Sequence, residues 1–121
     1  LDRLKSAGYI NGYHADIALE RLVDFTQVVV TVSLSQHRKT DFERFEAMVE
    51  RLDEITFCVA TGGGMDYVLH VVTPSLSAFQ TLMDDILSEE LSIDRYMTYI
   101  ATRRIKSTPP NITKLISDHG P

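Results

Sequence analysis

One cysteine, Cys58, and no tryptophan occur among the 121 residues, with only 6 glycines and 4 prolines. A lone cysteine cannot close a disulfide within the chain, and no secretion-signal pattern opens it, so a reducing cytoplasm is the expected compartment. So little glycine and proline excludes collagen-like and low-complexity classes. Long apolar runs are missing too: stretches such as Val28-Val29-Val30 fall far short of the roughly 20 residues a helix needs to cross a bilayer. Positive charge is in deficit, with 12 Lys+Arg against 17 Asp+Glu and a net charge of −5 at pH 7. A surface that follows a phosphate backbone needs clustered Lys and Arg, so any DNA contact must be local or lie outside this segment. What is present, 44% hydrophobic and 24% charged residues, suffices for one globular domain with a real core.

Residues Leu1 to Gly8 read as the last two turns of a helix closed by a glycine C-cap. They suggest a fragment whose upstream part is missing. Tyr9 to Ile17, with a turn signal at Asn11-Gly12, are expected to form a hinge or connector strand. From Gln27 to Leu34, Val28, Val30, Val32 and Leu34 alternate with Val29, Thr31 and Ser33, the period of a half-buried strand. Thr40-Asp41-Phe42-Glu43 predicts a capping box between the Thr40 hydroxyl and the Glu43 carboxylate. In the helix that follows, Phe42, Phe45, Val49 and Leu52 share one face, and Glu43, Glu46, Glu50 and Arg51 turn to water.

Thr56–Thr61 and Tyr67–Val72 predict two strands joined closely enough to pair antiparallel. Pro74-Ser75-Leu76-Ser77 opens a second helix with a buried stripe of Phe79, Leu82, Met83, Ile86 and Leu87. A long fourth strand is expected between Ile93 and Ile105, stopped before Pro109-Pro110, with a loosely packed tail to Pro121. The order strand, helix, strand, strand, helix, strand predicts an α+β, ferredoxin-like βαββαβ fold: a four-stranded antiparallel sheet with both helices on one face. The other face, apolar on every strand, is then uncovered, and a homodimer dimerising through the sheet is the economical way to close it.

Catalytic and metal chemistry find little support. His14, His37, His70 and His119 are far apart, and none has the spacing of a metal site. His70 reads most simply as a sheet histidine with a hydrogen-bond partner, and Cys58 as a small buried hydrophobe. Asp84-Asp85 and Glu89-Glu90 are adjacent on a helix, where neighbours do not face one another, and read as solvated surface. Arg103, Arg104, Lys106 and Lys114 read as solubilising charges. No cofactor is called for.

The unusual stretch is Thr61-Gly62-Gly63-Gly64-Met65-Asp66-Tyr67. Its simpler reading is a hairpin turn that needs permissive φ, closed by an Asp66 side-chain bond to backbone. Its functional reading is a small-ligand loop: successive backbone N–H groups cradle a carboxylate, and Asp66 takes an ammonium. That combination suits a zwitterionic amino acid, neither of whose charges is buried cheaply without a partner.

Three segments in order resemble the Lrp/AsnC family of transcriptional regulators, and the match covers nearly the whole chain. Arg3 to Tyr13 is similar to the end of the family's DNA-recognition helix and its Gly-x-Ile-x-Gly-Tyr hinge. Val59 to Tyr67 resembles its Gly-x-x-Asp-Tyr loop, and the spacing through Pro74 and Asp94 to Lys106 also fits. The resemblance implies an effector-sensing and oligomerisation domain, residues 23–107. Residues 1–22 would be the end of the helix-turn-helix and the hinge, and 108–121 a C-terminal tail. It implies DNA contact only through the missing N-terminal part, and homodimers that assemble to an octamer with an amino-acid effector bound between dimers. The effector loop maps onto Gly63, Gly64, Met65 and Asp66; positions that influence the response map onto Leu76, Tyr99, Ile100 and Ala101. The family loop often carries an acidic residue and then an aromatic one before the Asp; Gly64 and Met65 stand there in this chain, leaving a roomier, less polar pocket.

Two other classes share the architecture. A small dimeric α+β-barrel enzyme would need polar groups converging between the sheets, with His70 and Tyr99 as candidates. An ACT-like module would bind an amino acid for a metabolic enzyme. The recognition-helix remnant and the Gly-Tyr hinge favour the regulator over both.

Overall fold

The computed structural model describes residues 24–118. The expected helix end at Leu1–Gly8, the connector at Tyr9–Ile17, and His14 and His119 lie outside the described residues. Seven elements follow in order: β1 (Thr26–Leu34), α1 (Lys39–Arg51), β2 (Ile55–Ala60), β3 (Tyr67–Thr73), α2 (Leu76–Ser88), β4 (Ile93–Ile100) and α3 (Ile112–Asp118). The strands form one sheet in the order β2-β3-β1-β4, every pairing antiparallel. This is the expected α+β, ferredoxin-like arrangement, with α3 added beyond it.

Register assigns the two faces. Val28 pairs with Val71, Val30 with Leu69 and Val32 with Tyr67, and all six are buried. Directly paired residues point to the same side of a sheet, so this is the helix-covered face. Phe45 and Met48 of α1 and Phe79, Leu82, Met83 and Ile86 of α2 close the core over it. The opposite face presents Phe57 and Val59 from β2, Val68, His70 and Val72 from β3, Val29 and Thr31 from β1, and Met97 and Tyr99 from β4.

Four details depart from expectation. Helix α1 begins at Lys39, and Thr40 caps nothing: the Asp41 carboxylate accepts the Arg38 backbone N–H at 3.1 Å and is gripped by the Arg38 guanidinium at 2.8 and 3.2 Å. Asp41 is 1% exposed and its carboxyl is held below the usual range, first by that guanidinium. A carboxylate in the first turn also meets the positive end of the helix dipole. Leu87, expected in the α2 stripe, is exposed, because it sits at the edge of the face that Phe79, Leu82, Met83 and Ile86 bury; Met48 of α1, not expected, is buried in the core. Glu46 does not simply face water, since the Tyr67 hydroxyl donates to it at 2.5 Å while the Tyr67 ring stacks on Phe45. Finally, β4 ends at Ile100 rather than near Ile105. One more bond, Ala101 N–H to Gln27 O at 2.9 Å, continues the ladder before the chain leaves the sheet. The tail then forms α3, and Ile112, Leu115 and Ile116 on it are exposed.

Candidate functional site

The segment between β2 and β3 is closed from below by backbone and side-chain bonds. Thr61 N–H donates to Asp66 O at 2.9 Å, and the Thr61 hydroxyl donates to Met65 O at 2.7 Å. Asp66 N–H reaches Val32 O at 2.9 Å, which ties the loop to the end of β1. The Asp66 carboxylate therefore does close a turn, but across to another strand: its Oδ2 accepts Leu34 N–H at 2.8 Å and lies 3.0 Å from His37 Nε2. The Leu34 N–H is the first cause of an Asp66 carboxyl held below the usual range, ahead of His37 and against the opposing effect of burial.

Only one of the three glycines is demanded by backbone geometry. Gly63 has φ +102°, a left-handed conformation that side chains rarely adopt. A Cβ on Gly62 or Gly64 would meet nothing within 4 Å. The two therefore leave an open approach to the backbone rather than relieving a clash.

The expected site residues fall into two groups. Gly63, Gly64, Met65 and Asp66 lie at the end of the sheet where β1 finishes. Leu76 opens α2 just beyond the far end of β3, while Tyr99, Ile100 and Ala101 lie where β1 begins, opposite Val29, Val28 and Gln27. From Val32, bonded by Asp66, to Gln27, bonded by Ala101, is about 17 Å of strand at about 3.4 Å per residue. One chain does not bring the groups together. At the second group Leu76, Tyr99 and Ile100 are exposed. An open cleft of about 630 Å³ is lined there by Ala101, Arg103, Arg104, Lys106, Asp24 and Gln27.

His37 is the residue that spacing could not find, since it meets Asp66 only through the sheet's register. His70, by contrast, has its ring against Phe57, centroids 4.9 Å apart, in place of the expected hydrogen-bond partner. His70 and Tyr99 both pair with Val29, from opposite sides, so about 10 Å of sheet separates them and they do not converge. Cys58 is half-buried, and burial pushes its thiol up, away from a thiolate. Glu89, expected as solvated surface, pairs with Arg51. Among the described residues no three His, Cys, Asp or Glu side chains are grouped to hold a metal, and no helix is long and apolar enough to cross a membrane.

A family model described as the Lrp/AsnC ligand binding domain matches residues 27–111. The chain is 40% identical over 111 residues to the transcriptional regulatory protein DoeX of Halomonas elongata, covering 92% of this chain and 70% of that protein. It is 30% identical over 106 residues to the leucine-responsive regulatory protein of Salmonella typhimurium, covering 88% and 65%. The chain thus spans about two thirds of the length of these curated relatives. Among solved structures it resembles a Neisseria meningitidis transcriptional regulator in complex with L-Met, with TM-score 0.70, 26% identity, and coverage of 93% of this chain and 74% of that one. AsnC of E. coli shares the fold at TM-score 0.67 and 24% identity, covering 89% and 72%.

Proposed function

Because the chain belongs to the Lrp/AsnC family of transcriptional regulators, which is not a family of enzymes, we propose that its ligand-binding domain senses an amino acid at a site shared between copies. Residues 23–107 form the sensing unit in this reading, 1–22 the link to a cytoplasmic DNA-binding part, and 108–121 the tail. The observation that carries it is the separation of the two residue groups. Gly63, Gly64, Met65 and Asp66 offer an open backbone and an acidic group at one end of the sheet, while Leu76, Tyr99, Ile100 and Ala101 lie exposed at the other. A second copy can bring one group against the other.

Two levels of assembly follow. The apolar open face pairs with its counterpart to make a dimer, since Phe57, Met97 and Tyr99 are 50%, 54% and 49% exposed in the single chain. Dimers then meet through the sheet ends to complete the ligand sites, giving an octamer of four dimers. The amino acid's carboxylate is received by loop N–H groups and its ammonium by Asp66. The L-Met complex of the Neisseria relative supports an amino acid as the ligand class. Binding shifts the balance between arrangements of the DNA-binding parts, with a coupling of about 1–3 kcal/mol.

The test is a thermal-shift panel of the chain against the twenty amino acids. A ligand at 100 times its dissociation constant stabilises the folded form by about 2.7 kcal/mol. Asp66→Asn is the proper companion variant, because Asp66→Ala also strips the partner from Leu34 N–H and lowers stability by itself. A shift given by one or a few amino acids and reduced in Asp66→Asn supports the reading. An unchanged melting temperature across the panel refutes an amino-acid effector.

A further inference from the structure

His37 lies on the segment between β1 and α1, with Nε2 3.0 Å from Asp66 Oδ2. Phe42 of α1 rests against its ring, centroids 5.7 Å apart. The same Oδ2 accepts Leu34 N–H, so Oδ1 takes neither bond. The His37 side chain is 57% exposed and that of Asp66 23%, so both protons from water and a ligand from above can reach the pair.

We infer that His37 is a positioning residue for the 61–66 loop, and that its proton sets the charge an arriving ligand meets at Asp66, so that an ammonium-bearing ligand is held more weakly when His37 is protonated. The inference rests on the reading of this loop as the ligand site. Neutral imidazole still donates to Oδ2 from Nε2 and keeps the carboxylate in place while leaving its negative charge uncompensated. Imidazolium neutralises the pair, and an ammonium seated on Oδ1 then has a second cation beside the same carboxylate. Two unit charges about 5 Å apart in a water-like medium repel by enough to change an affinity about fourfold.

Among the described residues no other ionisable group takes over this part. Arg38 and Lys39 adjoin His37 on its own segment, and Arg38 is held by Asp41 of α1. Behind the Phe42 ring lie Tyr67 of β3 and Glu46 of α1, bonded to each other. Asp66 is the acidic group in contact with the imidazole.

The test has two arms, both on the full 121-residue chain. In the first, heteronuclear NMR follows a titration across the histidine range, about pH 5 to about pH 8.5. The amide resonances of Gly62, Gly63 and Gly64 are expected to move with the same midpoint as the His37 imidazole, and to stay still in His37→Gln, which keeps a neutral donor. Glycine amides that ignore the His37 titration overturn the inference. In the second arm, calorimetry measures L-methionine and its deaminated analogue 4-(methylthio)butanoate near both ends of that range. L-Methionine is expected to bind about fourfold tighter at the high end, the analogue is expected to lack this preference, and His37→Gln to remove it. A preference that survives in His37→Gln overturns the inference. If L-methionine binds at neither pH while the glycine amides still follow His37, the ligand reading fails and the coupling of His37 to the loop stands.

Discussion

The two faces of this sheet are made of much the same residues and meet opposite fates. On one, Val28, Val30, Val32, Leu69 and Val71 are all under 5% exposed. On the other, Val29, Val59, Val68 and Val72 are only partly buried, and Phe57, Met97 and Tyr99 stand open. Composition does not separate them. What separates them is cover, because both crossover helices fold over the same side. An apolar face without cover is half of a core, and the missing half has to come from another molecule.

The sharpest way to break this comparison is to remove one aromatic ring from each face. Phe45→Ala, under the covered face, is expected to cost about 3–5 kcal/mol in denaturant unfolding, as large core truncations do. Phe57→Ala, at a concentration where the chain is monomeric, should cost less than about 1 kcal/mol. Equal losses would mean that the open face is not open in solution. Next in size, Met97→Glu places a charge on the exposed side of the edge strand β4, within the proposed dimer contact. Sedimentation should show association weakened about tenfold or more, while monomer unfolding changes by less than about 0.5 kcal/mol.

Two smaller effects sharpen the picture at the rim that both faces share. Asp66→Asn should cost about 1 kcal/mol at neutral pH through a weaker bond to Leu34 N–H. The Asp66 carboxyl is depressed in the folded state, so its contribution is complete above the unfolded value near about 3.9 and is lost as the pH falls through the lower folded value. Acid unfolding of Asp66→Asn followed by circular dichroism should therefore be less steep on that limb than the parent's. Smallest is Ser92→Gly. Ser92 has φ 62° and its carbonyl accepts Ser35 N–H at 2.7 Å, so glycine relieves a left-handed strain while adding freedom to the unfolded chain. Thermal unfolding should place it within about 0.5 kcal/mol of the parent, whereas β-branched Ser92→Val should lose about 1–2 kcal/mol.

Much of this architecture was legible in the sequence because it is local. The Val28 to Leu34 alternation and the Phe79, Leu82, Met83, Ile86 stripe each state a period, and the period states the element. Glycines 62–64 marked the loop for the same reason. What escaped depended on partners distant in the chain or on competition between neighbours. Asp41 outcompeted Thr40 and Glu43 at the start of α1 because an arginine stood three residues before it. The end of β4 depends on how far β1 extends to pair with it, which no residue near Ile105 records. The His37–Asp66 contact joins residues from separate connections, and the division of the expected ligand residues between both ends of the sheet emerges only from strand order.

The place of β1 in the middle of the sheet has a consequence for how the chain reaches this shape. β1 is the earliest of the four strands in sequence, and one of its two partners, β4, is the latest. The α1, β2, β3 and α2 segments can begin to collapse among themselves, yet one side of β1 stays an unpaired edge until Ile93–Ile100 arrives. Such distant pairing makes folding slow relative to a helical bundle of the same length. During synthesis the longest strand of the domain, the 9 residues of β1, therefore offers its hydrogen-bonding edge to any other nascent strand nearby.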